Sequence, residues 1–268
     1  MSVAPFDSRE ALAQGRPPTL RVATYNVHAC VGTDGRHDPN RVAAVIGELD
    51  AGIVALQEFT YPASVAIETR VPVTLTMADA YECVLGPTRQ SEMECFGNAL
   101  LTRHRILDVH RFDLSTERRE ARGAIAATID VRGTIVHILA VHLGLRVRER
   151  RFQVRQLLDY LDSVRHTMVV VLGDFNDWLP GRSVVHVLDE RLGQPPRPAS
   201  FPVHWPIVAL DRIWVQPLHA LRRIVTHATP TARLASDHLP VVADIDLAKQ
   251  GLTAIPVADI SVTGRCPR

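Results

Sequence analysis

Residues 169–177 read VVVLGDFND, and this stretch decides what kind of fold the chain can adopt. Three valines and a leucine are followed by a glycine, and then by two carboxylates and an amide within four positions. Such an apolar run is typical of a buried strand. Because α/β sheets bind their ligands beyond the carboxyl ends of the strands, the polar cluster predicts a site built from oxygen atoms.

The composition is that of an ordinary globular protein. The 268 residues are 46% hydrophobic and 22% charged, which is enough for one large domain or two small ones. A formal net charge of +1 gives the chain no global positive field of the kind that marks nucleic-acid-binding proteins, although it leaves room for local basic patches. We expect a flexible leader at 1–18, a single domain over 19–247 and a C-terminal tail at 248–268.

The cysteines show no zinc or redox spacing, so they are interpreted as free thiols in a reducing compartment. They are Cys30, Cys83, Cys95 and Cys266. The first residues lack the apolar core of a signal peptide, and no apolar run approaches the roughly 20 residues that span a bilayer. We therefore expect a cytoplasmic protein without a transmembrane segment, acting as a monomer.

Upstream of the opening stretch, residues 20–58 are predicted to form a strand, a helix and a second, parallel strand. Asp38 is the expected helix N-cap and Pro39 the first helical residue. The apolar residues that follow recur at helical spacing and are expected on one buried face. They are Val42, Val45, Ile46 and Leu49.

The middle of the chain is predicted to be an antiparallel meander of short strands over residues 97–144. Residues 146–165 have the pattern of an amphipathic helix whose arginine-rich first turns are interpreted as a solvated face rather than a binding patch. Its apolar side is expected to carry Phe152, Leu157, Leu158 and Leu161. A short helix, a proline-rich loop at 194–206 and two strands at 209–215 and 238–247 complete the pattern.

Polar residues follow or end at least six of the strand-like runs. They are Asn26, Glu58, His142, Asp174, Asn176, Asp211, Asp237 and His238. One such ending is ordinary, but six in one chain predict a common site. Carboxylate and amide oxygens without thiolates favour a hard divalent cation such as Mg²⁺ or Mn²⁺. The chain has no P-loop, no GxSxG elbow and no HExxH helix, which counts against three other classes of hydrolase.

The motifs TYNVH, ALQE, GNALLTR, VHLG, GDFN, LDRIWV and SDHLPV occur in an order that resembles the DNase I-like endonuclease/exonuclease/phosphatase superfamily, in its small bacterial form. The resemblance runs from about residue 20 to 247, with no family motif in 61–95 or in the tail. It implies an α/β fold, a four-layer sandwich of two packed mixed β-sheets flanked by helices. It also implies metal-dependent hydrolysis of phosphoesters.

The resemblance implies roles for the residues at the strand ends. Glu58 resembles the principal metal ligand, with Asn26 and Asp237 completing or bordering the metal site. Asp174 resembles the residue that positions and deprotonates the attacking water, and Asn176 helps to hold the phosphate. We expect these last two to point to the same side, because they lie two positions apart on an extended segment.

Three further roles follow from the same resemblance. His238 resembles the histidine that stabilises the transition state, Asp211 would orient that imidazole, and His142 would donate a hydrogen bond to the phosphate or leaving group. Plainer alternatives stay open at this point. Asp211 could form an ion pair with Arg212, His142 could be a core histidine, and Asn26 could be a turn cap.

Four residues are predicted to contact substrate, each with an alternative. Arg122 matches a family arginine that faces the phosphate, or it belongs to an exposed charged run. His28 faces the metal site or merely lines the pocket, and Asn98 contacts the site or supports it structurally. Trp205, in the proline-rich loop, stacks on a ring, touches an acyl chain or packs inward.

The predicted function is hydrolysis of a phosphoester, most directly a phosphodiester, with a divalent metal and a water activated by Asp174. The first alternative is a DNA endonuclease or exonuclease of the abasic-site type, which the near-neutral charge does not favour. The second is a non-catalytic binding protein on the same scaffold. The intact set of acids and histidines counts against that second alternative.

Overall fold

The computed structural model describes residues 18–64, 71–72, 81–164, 167–178 and 183–249, with 71–72 and 249 described in their backbone only. The predicted leader and tail fall outside these residues, apart from 18, 248 and 249. The single domain predicted over 19–247 stays a prediction.

Twelve strands and four helices make up the regular structure of the described chain. The strands are β1 (Thr19–Asn26), β2 (Ile53–Pro62), β3 (Val71–Pro72), β4 (Glu82–Gln90), β5 (Glu94–Thr102), β6 (Arg105–Asp113), β7 (Gly123–Val131), β8 (Thr134–His142), β9 (Val169–Asp174), β10 (Asp211–Gln216), β11 (Leu221–Thr226) and β12 (Val241–Asp246). The helices are α1 (Pro39–Leu49), α2 (Val147–Ser163), α3 (His186–Leu192) and α4 (Pro230–Ala235). Short 3₁₀ turns occupy His28–Cys30, Leu218–Ala220 and Leu247–Lys249.

The strands form two mixed sheets. The first has the order β11-β12-β1-β2-β5-β4-β3 and the second β10-β9-β8-β7-β6. In each sheet one central pair is parallel, β1 with β2 and β8 with β9, while the other pairs are antiparallel. This arrangement confirms the predicted fold class.

Three apolar cores hold the layers together. The inner faces of both sheets pack against each other through residues such as Val22, Ile53 and Val170. The outer face of the first sheet packs on α1 and α4, and the outer face of the second packs on α2 and α3. Each sheet is therefore covered on both faces, which explains why the central strands are apolar throughout rather than alternating.

Helix α1 begins and packs as its sequence predicts. The Asp38 carboxylate accepts a hydrogen bond from the Arg41 N–H at 3.2 Å, and Pro39 is the first helical residue. All four predicted apolar residues are buried. The N-cap residue and the single apolar stripe were enough to predict this helix and its buried face, because both signals depend on neighbouring residues only.

The predicted apolar face of α2 is wrong at Phe152, which is 48% exposed. Leu157 and Leu161 are buried, as expected, and Leu158 is partly buried. In the first half of the helix, polar residues take the inward positions instead. Gln153, for example, accepts from the Gly144 N–H and donates to the Leu114 carbonyl, so this end of α2 is fastened by hydrogen bonds to loops.

Strands β3, β4 and β11 were not predicted. In β4 the apolar run ECVLGPTRQ is interrupted by glycine and proline, and in β11 two adjacent arginines break the apolar run. Two predicted strands are also shorter than expected. The first ends at Asn26, before a 3₁₀ turn in which His28, Ala29 and Cys30 all have positive φ, and β9 ends at Asp174.

Of the four cysteines, Cys30, Cys83 and Cys95 are buried and free, as predicted, and Cys266 lies outside the described residues. Within the described chain, no helix combines the length and the apolar character that crossing a membrane requires.

Candidate active site

The central parallel strand pairs of the two sheets bring the predicted residues to one edge. In the first sheet Asn26 pairs in register with Gln57, directly before Glu58. In the second sheet His142 pairs with Asp174, and Asp174 pairs in turn with Asp211 at the start of β10. Residues 237 and 238 reach the same edge from the segment between α4 and β12. The sandwich topology therefore gathers acids and imidazoles that are far apart in the sequence.

Glu58 lies at a β-bulge that turns its side chain toward this edge. Between Leu56 and Phe59 strand β2 has one residue more than β5, and Glu58 adopts φ 56°. Burial raises the pKa of Glu58, and the neighbouring carboxylates Asp174 and Asp237 raise it further against the opposing hydrogen bond from Asn26. A bound cation near this carboxylate would stabilise its charged form.

Asn26 bridges the two sheets. Its Nδ2 donates to Glu58 Oε1 at 3.1 Å and to Asp174 Oδ2 at 3.0 Å, while its Oδ1 accepts from the His28 N–H at 3.0 Å. The Asn26 side chain and its bond to Asp174 are buried, while its bonds to Glu58 and His28 are partly exposed. Asn26 thus holds two carboxylates side by side, in addition to any part it takes in binding a metal.

The GDFN loop depends on its glycine. Gly173 has φ 151°, and a Cβ there would lie 1.9 Å from the Val141 carbonyl oxygen. Only glycine allows β9 to approach β8 this closely just before Asp174.

Asn176 reaches the site by a different route from the one predicted. The strand ends at Asp174, and Asn176 has φ 49°, so the extended-segment explanation is wrong. Instead the Asn176 N–H donates to Asp174 Oδ1 at 2.9 Å, and its side-chain amide donates to the Leu143 carbonyl at 3.0 Å. The turn brings the amide nitrogen to 3.3 Å from His142 Nε2.

His238 and Asp211 form a buried pair. His238 Nδ1 lies 2.8 Å from Asp211 Oδ2, which also accepts from the Ser200 hydroxyl at 2.6 Å. Burial alone would lower the pKa of His238, but Asp211, with Asp174 and Asp237, outweighs burial and raises it to about 10. The alternative ion pair of Asp211 with Arg212 does not form, because the Arg212 guanidinium donates to the Ala209 and Asp177 carbonyls.

His142 is buried beside these acids without a close ion pair. Its Nε2 is 3.7 Å from Asp174 Oδ2 and 4.0 Å from Glu58 Oε1. Burial lowers the pKa of His142 to about 3, and the nearby Asp174 only partly opposes this. The imidazole is therefore neutral at pH 7, which suits a hydrogen-bonding group rather than a positive charge.

The donor set fits a hard divalent cation. Asp174, Asp211 and His238 place one ligand atom each within 4.8 Å of one another. His238 and Asp211 already bond to each other, and both oxygens of Asp174 accept hydrogen bonds, so Glu58 and Asp237 are the carboxylates left to a metal. Oxygen donors without thiolates are what Mg²⁺ and Mn²⁺ prefer.

Two of the four residues predicted to contact substrate are buried, and their side chains donate hydrogen bonds to backbone carbonyls. Arg122 donates through Nε to the Leu143 carbonyl at 3.2 Å and pairs with Glu120 at 2.9 Å. Asn98 donates to the Gly123 carbonyl at 2.7 Å, as its structural alternative expects. Arg122 is near enough to His142 to lower the pKa of that imidazole further, so it borders the site.

The other two predicted contacts are exposed. The His28 ring is 46% exposed and lies 3.9 Å from Asp237 Oδ1. Trp205 is 76% exposed, so the inward-packing alternative is wrong for it. In the same loop the Phe201 ring, not Trp205, packs against the His238 ring, with 4.8 Å between centroids.

A buried ion pair beneath the GDFN loop was not predicted from the sequence. Arg150 is fully buried, and its guanidinium lies 3.2 Å from Asp177 Oδ1 and donates to the Leu145 carbonyl at 2.8 Å. The other oxygen of Asp177 accepts from the backbone of Val184 at 3.1 Å. The second acid of GDFND was the only signal of this ion pair, since the sequence does not show which arginine it meets.

We expect Arg150→Met to lower the free energy of unfolding by about 3 kcal/mol, because it leaves Asp177 charged and without its partner in the interior. Urea denaturation followed by circular dichroism measures the change. Arg148→Met, at an exposed position of the same helix, is the matched control and should change stability by less than about 0.5 kcal/mol. Equal stability losses in the two variants would show that the buried pair contributes nothing specific.

Comparison with known proteins agrees with this geometry. The model of the endonuclease/exonuclease/phosphatase family matches residues 23–238. The uncharacterized protein YbhP of Escherichia coli (strain K12) is 35% identical over 168 residues, which cover 56% of this chain and 63% of YbhP. The match thus spans less than two thirds of that relative.

Solved structures share the fold. An endonuclease/exonuclease/phosphatase from Beutenbergia cavernae DSM 12333 superposes with a TM-score of 0.69 at 25% identity, covering 87% of this chain and 72% of that one. D. rerio TDP2 complexed with single-strand DNA product superposes at 0.61 with 16% identity, covering 84% and 98%. The family match over residues 23–238 and the convergence of its motifs at one edge lead to one conclusion: this chain belongs to the endonuclease/exonuclease/phosphatase family.

Proposed function

We propose that this protein is a divalent-metal-dependent phosphodiesterase. Family members are hydrolases that act on phosphoesters. The observation that carries the proposal is the Asn26 bridge, which holds the Glu58 and Asp174 carboxylates side by side near the positively charged His238. The bridge thus brings a carboxylate that could bind a cation, a candidate base and a cationic group together in one site.

Asp174 is the base in this proposal. Both of its oxygens accept hydrogen bonds, one from the Asn176 N–H and the other from Asn26, and these bonds orient the carboxylate. A carboxylate held next to a water can take the proton that leaves as the water attacks phosphorus. The Asn176 amide, directed to the same place by its turn, would hold a phosphoryl oxygen.

His238 supplies the positive charge in this proposal. Asp211 binds Nδ1, which fixes the ring and leaves Nε2 available to a phosphoryl oxygen. The neutral His142 would donate a hydrogen bond to the phosphate or the leaving group. A metal held by Glu58, with Asp237 and Asn26, would neutralise part of the charge that develops on the phosphoryl oxygens.

The proposed substrate class is a phosphodiester. TDP2 was solved with a single-strand DNA product, which describes that protein and leaves a nuclease as the alternative here. The near-neutral net charge does not favour nucleic acid over other phosphodiesters. We further propose a monomer acting in the cytoplasm, with the buried free thiols as support.

The proposal is tested with bis-p-nitrophenyl phosphate as a soluble phosphodiester. We expect hydrolysis with Mg²⁺ or Mn²⁺ and its loss in EDTA. Glu58→Gln keeps the shape but removes the charge, so it should raise the Mg²⁺ concentration for half-maximal rate by about tenfold or more. Glu82→Gln, at an exposed position of β4, is the matched control. Hydrolysis that persists in EDTA, or an unchanged Mg²⁺ titration in Glu58→Gln, would contradict the proposal.

A further inference from the structure

Among the described residues, four of the five most exposed large apolar side chains lie on loops that carry the candidate site, and the fifth is Met93. Leu145 is 66% exposed and follows His142 by three residues, and Trp178 is 57% exposed and follows Asn176 by two. Trp205 and Ile207 are 76% and 69% exposed. We call these four residues the apolar rim. Scattered exposed apolar residues are normal, but a group of them around a site marks an interaction surface.

Two buried arginines join the loops of the apolar rim. Arg150 donates to the Leu145 carbonyl and pairs with Asp177, the residue directly before Trp178. Arg212 connects that segment to the next one, since it donates to the Asp177 carbonyl and, at 2.9 Å, to the carbonyl two residues after Ile207. The loops that carry the rim are thus joined to one another beneath their exposed side chains.

The loop that carries Trp205 and Ile207 is also fixed to the site. Its Phe201 ring packs on His238, and the Val203 N–H donates to the Asp237 carbonyl at 2.8 Å. The exposed side chains therefore lie on loops attached to the site, without belonging to its polar cluster.

A basic face adjoins the rim on α2. Arg148, Arg151 and Arg155 are exposed at helical spacing, with the half-exposed Phe152 between them. Within the described part of the chain none of these three guanidinium groups has an ion-pair partner. Of the neighbouring acids on this helix, Glu149 is buried and Asp159, one turn after Arg155, is exposed. In a chain of net charge +1, this face is a local concentration of positive charge.

We propose that the apolar rim and the basic face together form a docking surface for an anionic lipid bilayer. Tryptophan and aliphatic side chains enter the interfacial layer, and arginines beside them attract anionic head groups. The aliphatic members Leu145 and Ile207 favour lipid over single-stranded nucleic acid, which proteins bind with aromatic platforms in a charged groove. Docking would place the mouth of the site against the membrane surface.

The experiment is co-sedimentation of the full chain with large vesicles of phosphatidylcholine alone or with phosphatidylglycerol added. We expect binding to the anionic vesicles that weakens as salt rises. Each of two triple variants, Leu145→Ser/Trp178→Ser/Ile207→Ser and Arg148→Gln/Arg151→Gln/Arg155→Gln, should weaken it at least about tenfold.

Controls separate docking from folding and from catalysis. Leu107→Ser and Arg223→Gln change exposed residues on β6 and β11 and should bind vesicles like the unmodified chain. Thermal denaturation checks that each variant is folded, whether or not the chain hydrolyses a phosphodiester. Where bis-p-nitrophenyl phosphate is hydrolysed, both triple variants should retain the rate within about twofold, because none of these side chains acts on that soluble diester.

Three results would overturn the docking proposal. The first is no binding to anionic vesicles, and the second is binding that neither triple variant weakens. The third is binding of a single-stranded oligonucleotide, lost in both variants, without vesicle binding, which would assign the surface to nucleic acid. None of these depends on whether the chain hydrolyses phosphodiesters.

Discussion

Replacing Asp174 by alanine is expected to lower kcat on bis-p-nitrophenyl phosphate by at least about a hundredfold, the usual loss when a general base is removed. The substitution also frees the Asn26 amide and the Asn176 N–H, which both bond this carboxylate. Steady-state kinetics at saturating Mg²⁺ measures the change. Because Asp174 acts on the water, the loss should fall on kcat more than on KM.

Asp174→Asn removes the base and keeps more of the scaffold than alanine does, although its amide nitrogen cannot accept the hydrogen bond from Asn26 Nδ2. Asparagine keeps the shape and one acceptor oxygen for the Asn176 N–H but cannot take a proton, so its loss of kcat should approach that of alanine. Asp159→Ala, at an exposed acid of α2, is the control and should leave the rate unchanged. Turnover within about tenfold of the unmodified chain in Asp174→Asn would remove Asp174 as the base.

The signals that predicted the fold correctly were local ones. The Asp38 cap, the apolar stripe of α1 and the apolar runs of β1, β2, β8 and β9 each report on neighbouring residues, and each led to the right element. Phe152 shows where such signals fail, because helical spacing does not reveal which side chains find polar partners. The inward positions beside it went to Arg150 and Gln153, whose partners lie on other segments.

The candidate site was predictable as a set of residues but not as a geometry. Polar residues after apolar strands had to meet at one edge once the sheets packed face to face. The positive φ of Glu58 and Asn176 could not be anticipated, because neither glutamate nor asparagine requires that conformation. Nor does the sequence show that Asp177 lies in the interior, where Arg150 offsets its charge.

His238→Ala is expected to lower kcat by at least about a hundredfold, and the pair it forms with Asp211 gives a sharper test than either residue alone. Asp211 is fully buried and binds Nδ1 of His238 at 2.8 Å. If Asp211 acts only by orienting this imidazole, then Asp211→Asn should slow the chain with His238 present. It should have almost no further effect in the His238→Ala background.

This double-mutant cycle is measured as kcat on bis-p-nitrophenyl phosphate, with thermal denaturation to confirm that each variant is folded. His227→Ala breaks another close histidine–carboxylate pair, His227 with Glu48 at 2.9 Å, and should leave turnover within about twofold. Effects of Asp211→Asn and His238→Ala that simply multiply would mean independent roles, and the orienting role of Asp211 would then be wrong. Equal kcat values in His238→Ala and in the double variant Asp211→Asn/His238→Ala would mean that Asp211 acts through the His238 ring. If the Asp211 charge acted directly on the reaction, its removal would still lower kcat in the absence of that ring.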